Sequence, residues 1–209
     1  MATNQELRDA IQNCVRVFAQ NADELTDLDQ DLGDGDLGIT VQLGSQAVDE
    51  AVGALPDDAD AVAIVRACAK AFANANPSTM AALVAGALLA GSRVLPQEGE
   101  IEHEQIGEFM RAAAESIGQR GKSQVGDKTI LDAMVPAAEA FIAAPIKAEA
   151  LEAAIGAAKN GVQDSKGLQS RKGRASWLQE RSIGLLDPGA VGYQRFLESW
   201  RDANAEDAS

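Results

Sequence analysis

Five aspartates lie within ten positions of one segment, residues 27–36, and this acidic cluster is the most specific chemical feature of the sequence. Its members are Asp27, Asp29, Asp31, Asp34 and Asp36. Clustered carboxylates repel one another, so the arrangement is costly unless a cation neutralises it. Gly33 and Gly35 allow the sharp turns that bring non-adjacent carboxylates together. Oxygen ligands without histidine or cysteine favour Mg²⁺ or Ca²⁺, so the cluster predicts a metal site, whereas a plain helix cap would need Asp36 alone.

The calcium-binding loop of an EF-hand does not fit this segment. With Asp27 at position one, Asp29 and Asp31 fall at positions three and five. Position six requires glycine and holds Leu32, and position twelve requires glutamate and holds Gly38. The pattern therefore fails at both diagnostic positions. A calcium-binding helical module of another kind stays an alternative, which metal preference in calorimetry would distinguish.

Other parts of the sequence limit the chemistry that a metal could assist. Residues 118–123, GQRGKS, have two residues between their glycines where a phosphate-binding P-loop has four, and no predicted strand precedes them. His103 is the only histidine, and its polar surroundings at a helix start indicate a surface side chain. The sequence contains no recognisable catalytic triad or activated nucleophile. Phosphoryl transfer needs neither, because it depends mainly on positioning and charge neutralisation.

Two further segments are suited to anions. Ser78 and Thr79 follow a proline at a predicted helix start, where free backbone N–H groups and small hydroxyls can hold a phosphate. Residues 165–187 show little periodicity and many charges, and a loop of this length in a compact domain is usually functional or disordered. We call residues 165–187 the basic arm and expect it to face an anion. Its cations include Arg171, Lys172, Arg174 and Arg181.

Composition and charge exclude several classes of function. The chain is 46% hydrophobic but only 4% aromatic, and alanine dominates, which favours closely packed helices over a β-sandwich. A net charge of −14 repels nucleic-acid backbones. No apolar run is long enough to span a membrane and no signal peptide is recognisable, so we expect a cytoplasmic protein. Cys14 and Cys68 are expected to be buried and reduced.

Apolar positions recur at spacings of three and four along most of the chain, which predicts an all-α fold in a single domain, residues 1–209. Asp127 is a candidate cap for the helix that starts near it, whereas the role of Lys128 is open. The tail after Asp202 is expected to fray. We predict eight helices, over residues 4–21, 38–51, 60–73, 78–94, 102–118, 128–143, 147–163 and from 189 onward.

Three motifs occur together in an order and spacing that are highly specific. They are LTDLDQDLGDGDLG at residues 25–38, GDKTILDAMVPA at 126–137 and GRASWLQERSIGLLDPGA at 173–190. By these motifs the chain resembles, over nearly its whole length, the nucleotide-binding L subunit or L domain of dihydroxyacetone kinases. The resemblance implies an antiparallel eight-helix barrel with the nucleotide site at one end.

The resemblance also implies which residues form the site. Asp29, Asp34 and Asp36 match the aspartates that hold two Mg²⁺ ions on the phosphates of ADP or ATP. Arg174 matches an arginine on the nucleotide. The other matched positions, all expected to contact the nucleotide, are Leu37, Gly38, Ile39, Thr40, Ser78, Thr79, Gly121, Ile130, Asp187, Pro188 and Gly189.

The chain departs from the family pattern at three places. Leu37 stands where a histidine often follows the last metal aspartate. The phosphate loop is commonly glycine-rich in the family, whereas here residues 74–86 read NANPSTMAALVAG. Trp177 and Gln179 replace the usual tyrosine and glycine. These differences bear on the nucleotide contacts and on the choice between ADP and ATP.

The function implied by the resemblance is a division of labour within a small-ketose kinase, an enzyme of the glycerone kinase type. A separate K-type subunit would bind the ketose, such as the dihydroxyacetone of glycerol metabolism, and this chain would present the phosphoryl group to its hydroxyl. The donor is either exchangeable ATP or a bound ADP that a phosphotransferase-system phosphocarrier recharges. A homodimer is compatible with this assembly. Alternatives are a kinase for a four-carbon ketose and a non-catalytic, nucleotide-loaded partner of a regulator.

Overall fold

The computed structural model describes residues 2–205, which form an all-α structure and confirm the predicted fold class. Within this range the chain forms no strand, and Ala2 and Ile101 form an isolated β-bridge. Three 3₁₀ segments, Ala19–Asn21, Lys147–Glu149 and Arg174–Ser182, lie between α-helices. The helices are α1 (Asn4–Phe18), α2 (Ala22–Leu32), α3 (Leu37–Gly53), α4 (Ala61–Ala75), α5 (Thr79–Gly91), α6 (His103–Gly121), α7 (Leu131–Ala143), α8 (Ala150–Ser165) and α9 (Pro188–Asn204).

Eight of these helices close into a ring, which is the eight-helix barrel that the resemblance implied. Each packs against the next in the order α1, α3, α4, α5, α6, α7, α8 and α9, and α9 returns to α1. Neighbouring helices in the ring run antiparallel, as in bundles with up-and-down connections. Because alternate helices are then parallel, α3, α5, α7 and α9 all begin at the same end of the barrel.

Helix α2 is not a member of this ring, and it brings the number of α-helices within residues 2–205 to nine. No helix is predicted from the sequence between residues 21 and 38, whereas the chain is helical from Ala22 to Leu32. Leu25 and Leu32 are seven residues apart, lie on one side of α2 and are buried. The burial of these leucines overrides the low helix propensity of the aspartates between them.

The cysteines follow the expectation from the sequence, whereas the first two residues of the tail after Asp202 continue the C-terminal helix. Helix α9 ends at Asn204, and residues 206–209 of the tail that we expect to fray lie outside the described range. Cys14 and Cys68 are buried, and burial raises the pKa of each thiol to about 12, so both are protonated at neutral pH. Among the helices described, none has the length and apolar character needed to cross a bilayer.

Helices α7 and α8 come into close contact at Gly161. A Cβ atom at this position would overlap the backbone carbonyl oxygen of Asp132. Small side chains let helix axes approach, and this explains how a chain with few aromatic residues builds a dense core. The buried alanines of the two helices include Ala133, Ala137, Ala154 and Ala158.

Substitution of Gly161 tests this packing. We expect Gly161→Ala to lower the free energy of unfolding by about 1–3 kcal/mol, because the added methyl group meets backbone and forces the helices apart. Gly156→Ala in the same helix is the matched control. A Cβ at Gly156 meets no atom within 4 Å, so this change should stabilise the protein by about 0.5–1 kcal/mol. Urea unfolding measures both, and equal effects of the two substitutions would contradict the packing.

Candidate functional site

Three of the five clustered aspartates converge at one point. Asp29 lies in the last turn of α2, whereas Asp34 and Asp36 belong to the connection between α2 and α3. Carboxylate oxygens from these three residues lie within 4.8 Å of one another. Asp27 and Asp31 are exposed and are each two positions from Asp29, which places them on another side of the helix. The converging set is therefore the one that the resemblance implied as metal ligands.

The connection between α2 and α3 is held by the carboxylate of Asp29. Its Oδ2 accepts hydrogen bonds from the backbone N–H groups of Asp36 at 3.0 Å and Leu37 at 3.3 Å. Asp29 therefore caps α3, while the side chain of Asp36, the candidate cap in the sequence, makes no capping hydrogen bond. Gly35 has a φ of 73°, which glycine adopts without strain and which lets the chain turn here. The Asp36 carboxylate is left to face the cluster.

Helix α3 also begins unusually close to α2. A Cβ atom at Gly38 would overlap the carbonyl oxygen of Ala22 and the hydroxyl oxygen of Thr26. The predicted nucleotide contact Gly38 thus has a packing role as well, because any larger residue at this position would collide with α2. The close approach fixes the start of α3 against the helix that carries Asp29.

Burial and repulsion within the cluster act in the same direction on the pKa of Asp36. Burial, followed by the charges of Asp34 and Asp29, raises this pKa above its usual value, and the charge of Arg174 opposes the rise. Nη2 of Arg174 lies 3.0 Å from Oδ2 of Asp34. The basic arm thus brings a guanidinium to the three carboxylates.

Hydroxyl groups join the starts of α3 and α5 beside the cluster. Nδ2 of Asn76 donates to Oγ1 of Thr40 at 2.8 Å, and this hydroxyl lies 3.4 Å from Oγ of Ser78. Ser78 caps α5 by accepting from the N–H of Ala81, and Thr79 is the first residue of the helix. Thr40, Ser78 and Thr79 are predicted contacts, whereas Asn76 was missed, because the sequence offers only its place before a proline. Two helix N-termini side by side favour an anion.

Apolar residues from α5, α6, α7 and α9 meet at the same end of the barrel. A Cβ at Gly189 would lie 3.2 Å from Cε of Met80 and 3.3 Å from Cβ of Ile130. A Cβ at Gly121 would lie 3.9 Å from the Leu83 side chain, about one turn along α5 from Met80. Met80 and Leu83 of α5 therefore link three predicted nucleotide contacts, Gly121, Ile130 and Gly189. Neither Met80 nor Leu83 was predicted to belong to the site.

Asp187 begins α9 at this end and is buried. Its Oδ1 accepts from the N–H of Ala190 at 2.8 Å, and Pro188 follows as the first helical residue. Burial raises the pKa of Asp187 to about 7, with the charge of Asp132 adding to the rise and the Ala190 hydrogen bond and Lys128 opposing it. A carboxyl group next to the cluster is thus protonated in mildly acidic solution.

Lys128 is the residue that the sequence analysis left open, and it is among the most buried side chains, at 1% exposure. Its Nζ donates to three backbone carbonyls of the basic arm, those of Lys166 (3.0 Å), Leu168 (3.0 Å) and Ser182 (2.8 Å). Its φ of 60° lies in the left-handed region, which is unfavourable for a residue other than glycine. Burial lowers the pKa of the Lys128 ammonium, and the charges of Asp187 and Asp132 oppose that change.

Asp127 does not cap α7 as expected, because that helix begins at Leu131. The turn before α7 is held by Asp132, whose carboxylate oxygens accept from the N–H groups of Gly126 and Thr129, each at 2.7 Å. Asp127 faces the basic arm. Its carbonyl accepts from the N–H of Arg171 at 3.0 Å, and its carboxylate lies 3.8 Å from the charged groups of both Arg171 and Lys172.

The chain is similar to known proteins of one family. Residues 31–202 match the family model described as the DAK2 domain. The chain is 30% identical over 192 residues to the PEP-dependent dihydroxyacetone kinase, ADP-binding subunit DhaL, of Escherichia coli K12, covering 88% of this chain and 90% of that protein. It is 34% identical over 171 residues to an ADP-binding DhaL subunit of Listeria innocua, covering 82% of each chain.

Longer kinases match over part of their length. The L-erythrulose kinase of Pectobacterium atrosepticum is 32% identical over 191 residues, which cover 88% of this chain but 32% of the kinase. The crystal structure of the dihydroxyacetone kinase from C. freundii in complex with AMP-PNP and Mg²⁺ has the same fold, with a TM-score of 0.74, 18% identity, and coverage of 97% of this chain and 34% of that one. This chain thus spans about a third of those kinases. On the match to residues 31–202, the chain belongs to the DAK2 domain family.

Proposed function

We propose that this chain is the nucleotide-binding subunit of a small-ketose kinase, and that it holds a magnesium–nucleotide at the end of the barrel where α3, α5, α7 and α9 begin. The observation that carries the proposal is the convergence of Asp29, Asp34 and Asp36 within 4.8 Å, in a chain of the DAK2 domain family. Relatives of this family are named as ADP-binding subunits of dihydroxyacetone kinases.

The three carboxylates fit Mg²⁺ by their chemistry. They offer hard oxygen ligands and no nitrogen or sulfur, and two of them are partly buried, which makes their mutual repulsion costly. Burial first, and then the charges of Asp34 and Asp29, raise the pKa of Asp36 despite the opposing charge of Arg174, so a bound cation would favour the ionised carboxylate. Bound Mg²⁺, two ions by analogy with the family, supplies charge neutralisation on the phosphates. Asp29 has a second role, because it also caps α3.

The phosphate groups have suitable partners beside this cluster. The starts of α3 and α5 bring the hydroxyls of Thr40 and Ser78 to within 3.4 Å of each other, and Thr79 is the first residue of α5. Arg174 approaches Asp34 from the basic arm, at 3.0 Å, and carries a charge suited to the transferred phosphoryl group. The base would lie on the apolar surface formed by residues such as Met80 and Ile130.

The acceptor substrate would come from a K-type sugar-binding partner. The site contains charge-neutralising groups but no nucleophile or sugar-binding constellation that we recognise among the described residues. Four large apolar side chains are exposed on segments at this end, namely Ile39, Val125, Trp177 and Ile183. Such exposed apolar groups suit a protein partner that covers the nucleotide. The chain would therefore transfer a phosphoryl group only when the partner is docked.

We propose that the phosphoryl donor is ATP formed in the site, when a phosphotransferase-system phosphocarrier transfers a phosphoryl group to a bound ADP that stays with the protein. Relatives in Escherichia coli and Lactococcus lactis are named PEP-dependent and PTS-dependent, respectively. A second candidate is ATP-dependent phosphorylation of a four-carbon ketose, which the similarity to erythrulose kinases favours. The two candidates differ in whether the nucleotide leaves the site in each cycle.

Removal of one metal ligand tests the site. We expect Asp34→Ala to abolish Mg²⁺-dependent nucleotide binding in isothermal titration while leaving the helical circular dichroism unchanged, because Asp34 is exposed and outside the core. Asp31→Ala is the matched control, since it removes the same charge from an exposed position outside the convergent set. Nucleotide affinity that is unchanged in the Asp34 variant would refute the metal assignment. Calorimetry with Ca²⁺ in place of Mg²⁺ tests the calcium alternative.

The pH dependence of Mg²⁺ binding tests the role of Asp36. Its pKa is raised in the free protein, and a cation binds the deprotonated form, so binding must release a proton over the range where Asp36 is partly protonated. We expect Mg²⁺ affinity to fall as the pH is lowered through that range, by up to about tenfold per pH unit for one coupled proton. Titrations in buffers of different ionisation enthalpy count the released protons. Affinity that is flat between neutral and acidic pH would exclude Asp36 as a ligand.

Nucleotide retention distinguishes the two donors. We expect ADP to remain with the purified protein in native mass spectrometry and to leave after chelation of Mg²⁺, because Asp29, Asp34 and Asp36 would hold the nucleotide through the metal. Rapid exchange of the nucleotide in the presence of Mg²⁺ would favour the ATP-dependent candidate. A protein that neither retains nor binds nucleotide would contradict the proposed function itself.

A further inference from the structure

We infer that Lys128 is a positioning residue that anchors the basic arm and thereby places Arg174 at the nucleotide. The inference rests on the proposed function and deepens it, because it assigns the control of the phosphate-facing arginine to a buried lysine outside the binding site.

The ammonium group of Lys128 is matched to the arm by geometry. It has three N–H donors, and three backbone carbonyls lie 2.8–3.0 Å from Nζ, so one donor can serve each acceptor. Two of these carbonyls, Lys166 and Leu168, belong to the start of the arm, and the third, Ser182, belongs to its return. A single side chain therefore joins the two ends of the loop.

The base of the arm is closed around this ammonium. The N–H of Gly184 donates to the carbonyl of Lys166 at 2.9 Å, the same oxygen that Nζ of Lys128 contacts. The N–H of Ser170 donates to Oγ of Ser182 at 2.9 Å, which links the two sides once more. The arm is thus a closed loop whose neck is built on Lys128, and the residues between Ser170 and Ser182 depend on that neck for their position.

Arg174 belongs to this dependent part. It begins the 3₁₀ segment Arg174–Ser182, follows Gly173 with its φ of 60°, and reaches across to Asp34 at 3.0 Å. Its side chain is 54% exposed, so packing against neighbours does little to hold it. Its placement therefore comes from the backbone of the arm. The neighbouring Asp127 strengthens the anchor by accepting from the N–H of Arg171.

A double-mutant cycle on the full chain tests the inference, with Mg²⁺ and ADP as the probe. Arg174→Gln removes the guanidinium, and we expect it to weaken ADP affinity about tenfold to a hundredfold, the usual range for a lost charge-assisted hydrogen bond. Lys128→Met should cause a loss of similar size, because the arginine is present but not held. In the Arg174→Gln background, Lys128→Met should change affinity less than twofold. Multiplicative losses would overturn the inference, since a general structural defect acts whether or not Arg174 is present.

Hydrogen exchange provides an independent measurement on the same proteins. In Lys128→Met, amides of the arm, such as those of Ser170 and Gly184, should exchange faster while those of the barrel helices keep their protection. Lys159→Met, which removes an exposed lysine of α8, is the control and should leave both affinity and exchange unchanged. Arm exchange that is unaffected by Lys128→Met would refute the anchor.

Two further outcomes are decisive. If Lys128→Met does not fold, the cycle is run with Lys128→Arg, whose planar guanidinium keeps the charge but cannot direct one N–H to each of three converging carbonyls. We expect Lys128→Arg to weaken ADP affinity as much as Lys128→Met would, and to have little further effect in the Arg174→Gln background. Full ADP affinity in Lys128→Arg would overturn the inference. If the Lys128 variants bind Mg–ADP as well as the wild-type protein does, the anchoring role of Lys128 is refuted and the proposed function stands. Wild-type protein that does not bind Mg–ADP would contradict the proposed function and this inference with it.

Discussion

Three carboxylates held within 4.8 Å of one another are the constraint on which the candidate site depends. Like charges at this separation repel, and the cost grows as they lose water. The protein offsets part of this cost with two backbone N–H groups at the start of α3, which donate to the carboxylate of Asp29. It also offsets the cost with a cation from the basic arm, since the Arg174 guanidinium lies 3.0 Å from exposed Asp34. A cation in the cluster would relieve the repulsion that remains at Asp36.

The closed ring of helices explains why the other binding groups lie beside these carboxylates. Antiparallel packing of neighbours brings every second helix start to one end, so the capped starts of α3, α5 and α9 meet there together with Ile130 before α7. The partial positive charge at those starts complements anionic ligands. Helix α2, outside the ring, adds the carboxylate that the ring alone would lack.

Much of this arrangement could be predicted from the sequence. The helical class followed from the apolar periodicity, and the family followed from three motifs in order, of which the acidic one also indicated a metal without any comparison. The choice of Asp29, Asp34 and Asp36 among five aspartates required the resemblance. In the structure it follows from the helical geometry of α2, which places Asp27 and Asp31 on other sides.

Other features could not be read from the residues. Helix α2 was missed because its aspartates suggested a loop, although Leu25 and Leu32 carried a helical period. Asp127 resembled a cap, but the helix starts four residues later and Asp132 holds the turn. The role of Lys128 depends on carbonyls that lie 38, 40 and 54 residues away in the chain, and no local sequence pattern indicates such contacts.

The central claim is that Asp29, Asp34 and Asp36 hold the metal that carries the nucleotide. A crystal structure of the chain with Mn²⁺ and ADP, with anomalous difference density to locate the metal, tests it most directly. The account predicts metal density within about 2.0–2.3 Å of oxygens from all three carboxylates, a distance typical of Mg²⁺-like ions, with the phosphates on the far side of the metal toward Thr40 and Ser78. Metal density elsewhere, or ADP bound away from these carboxylates, would contradict it.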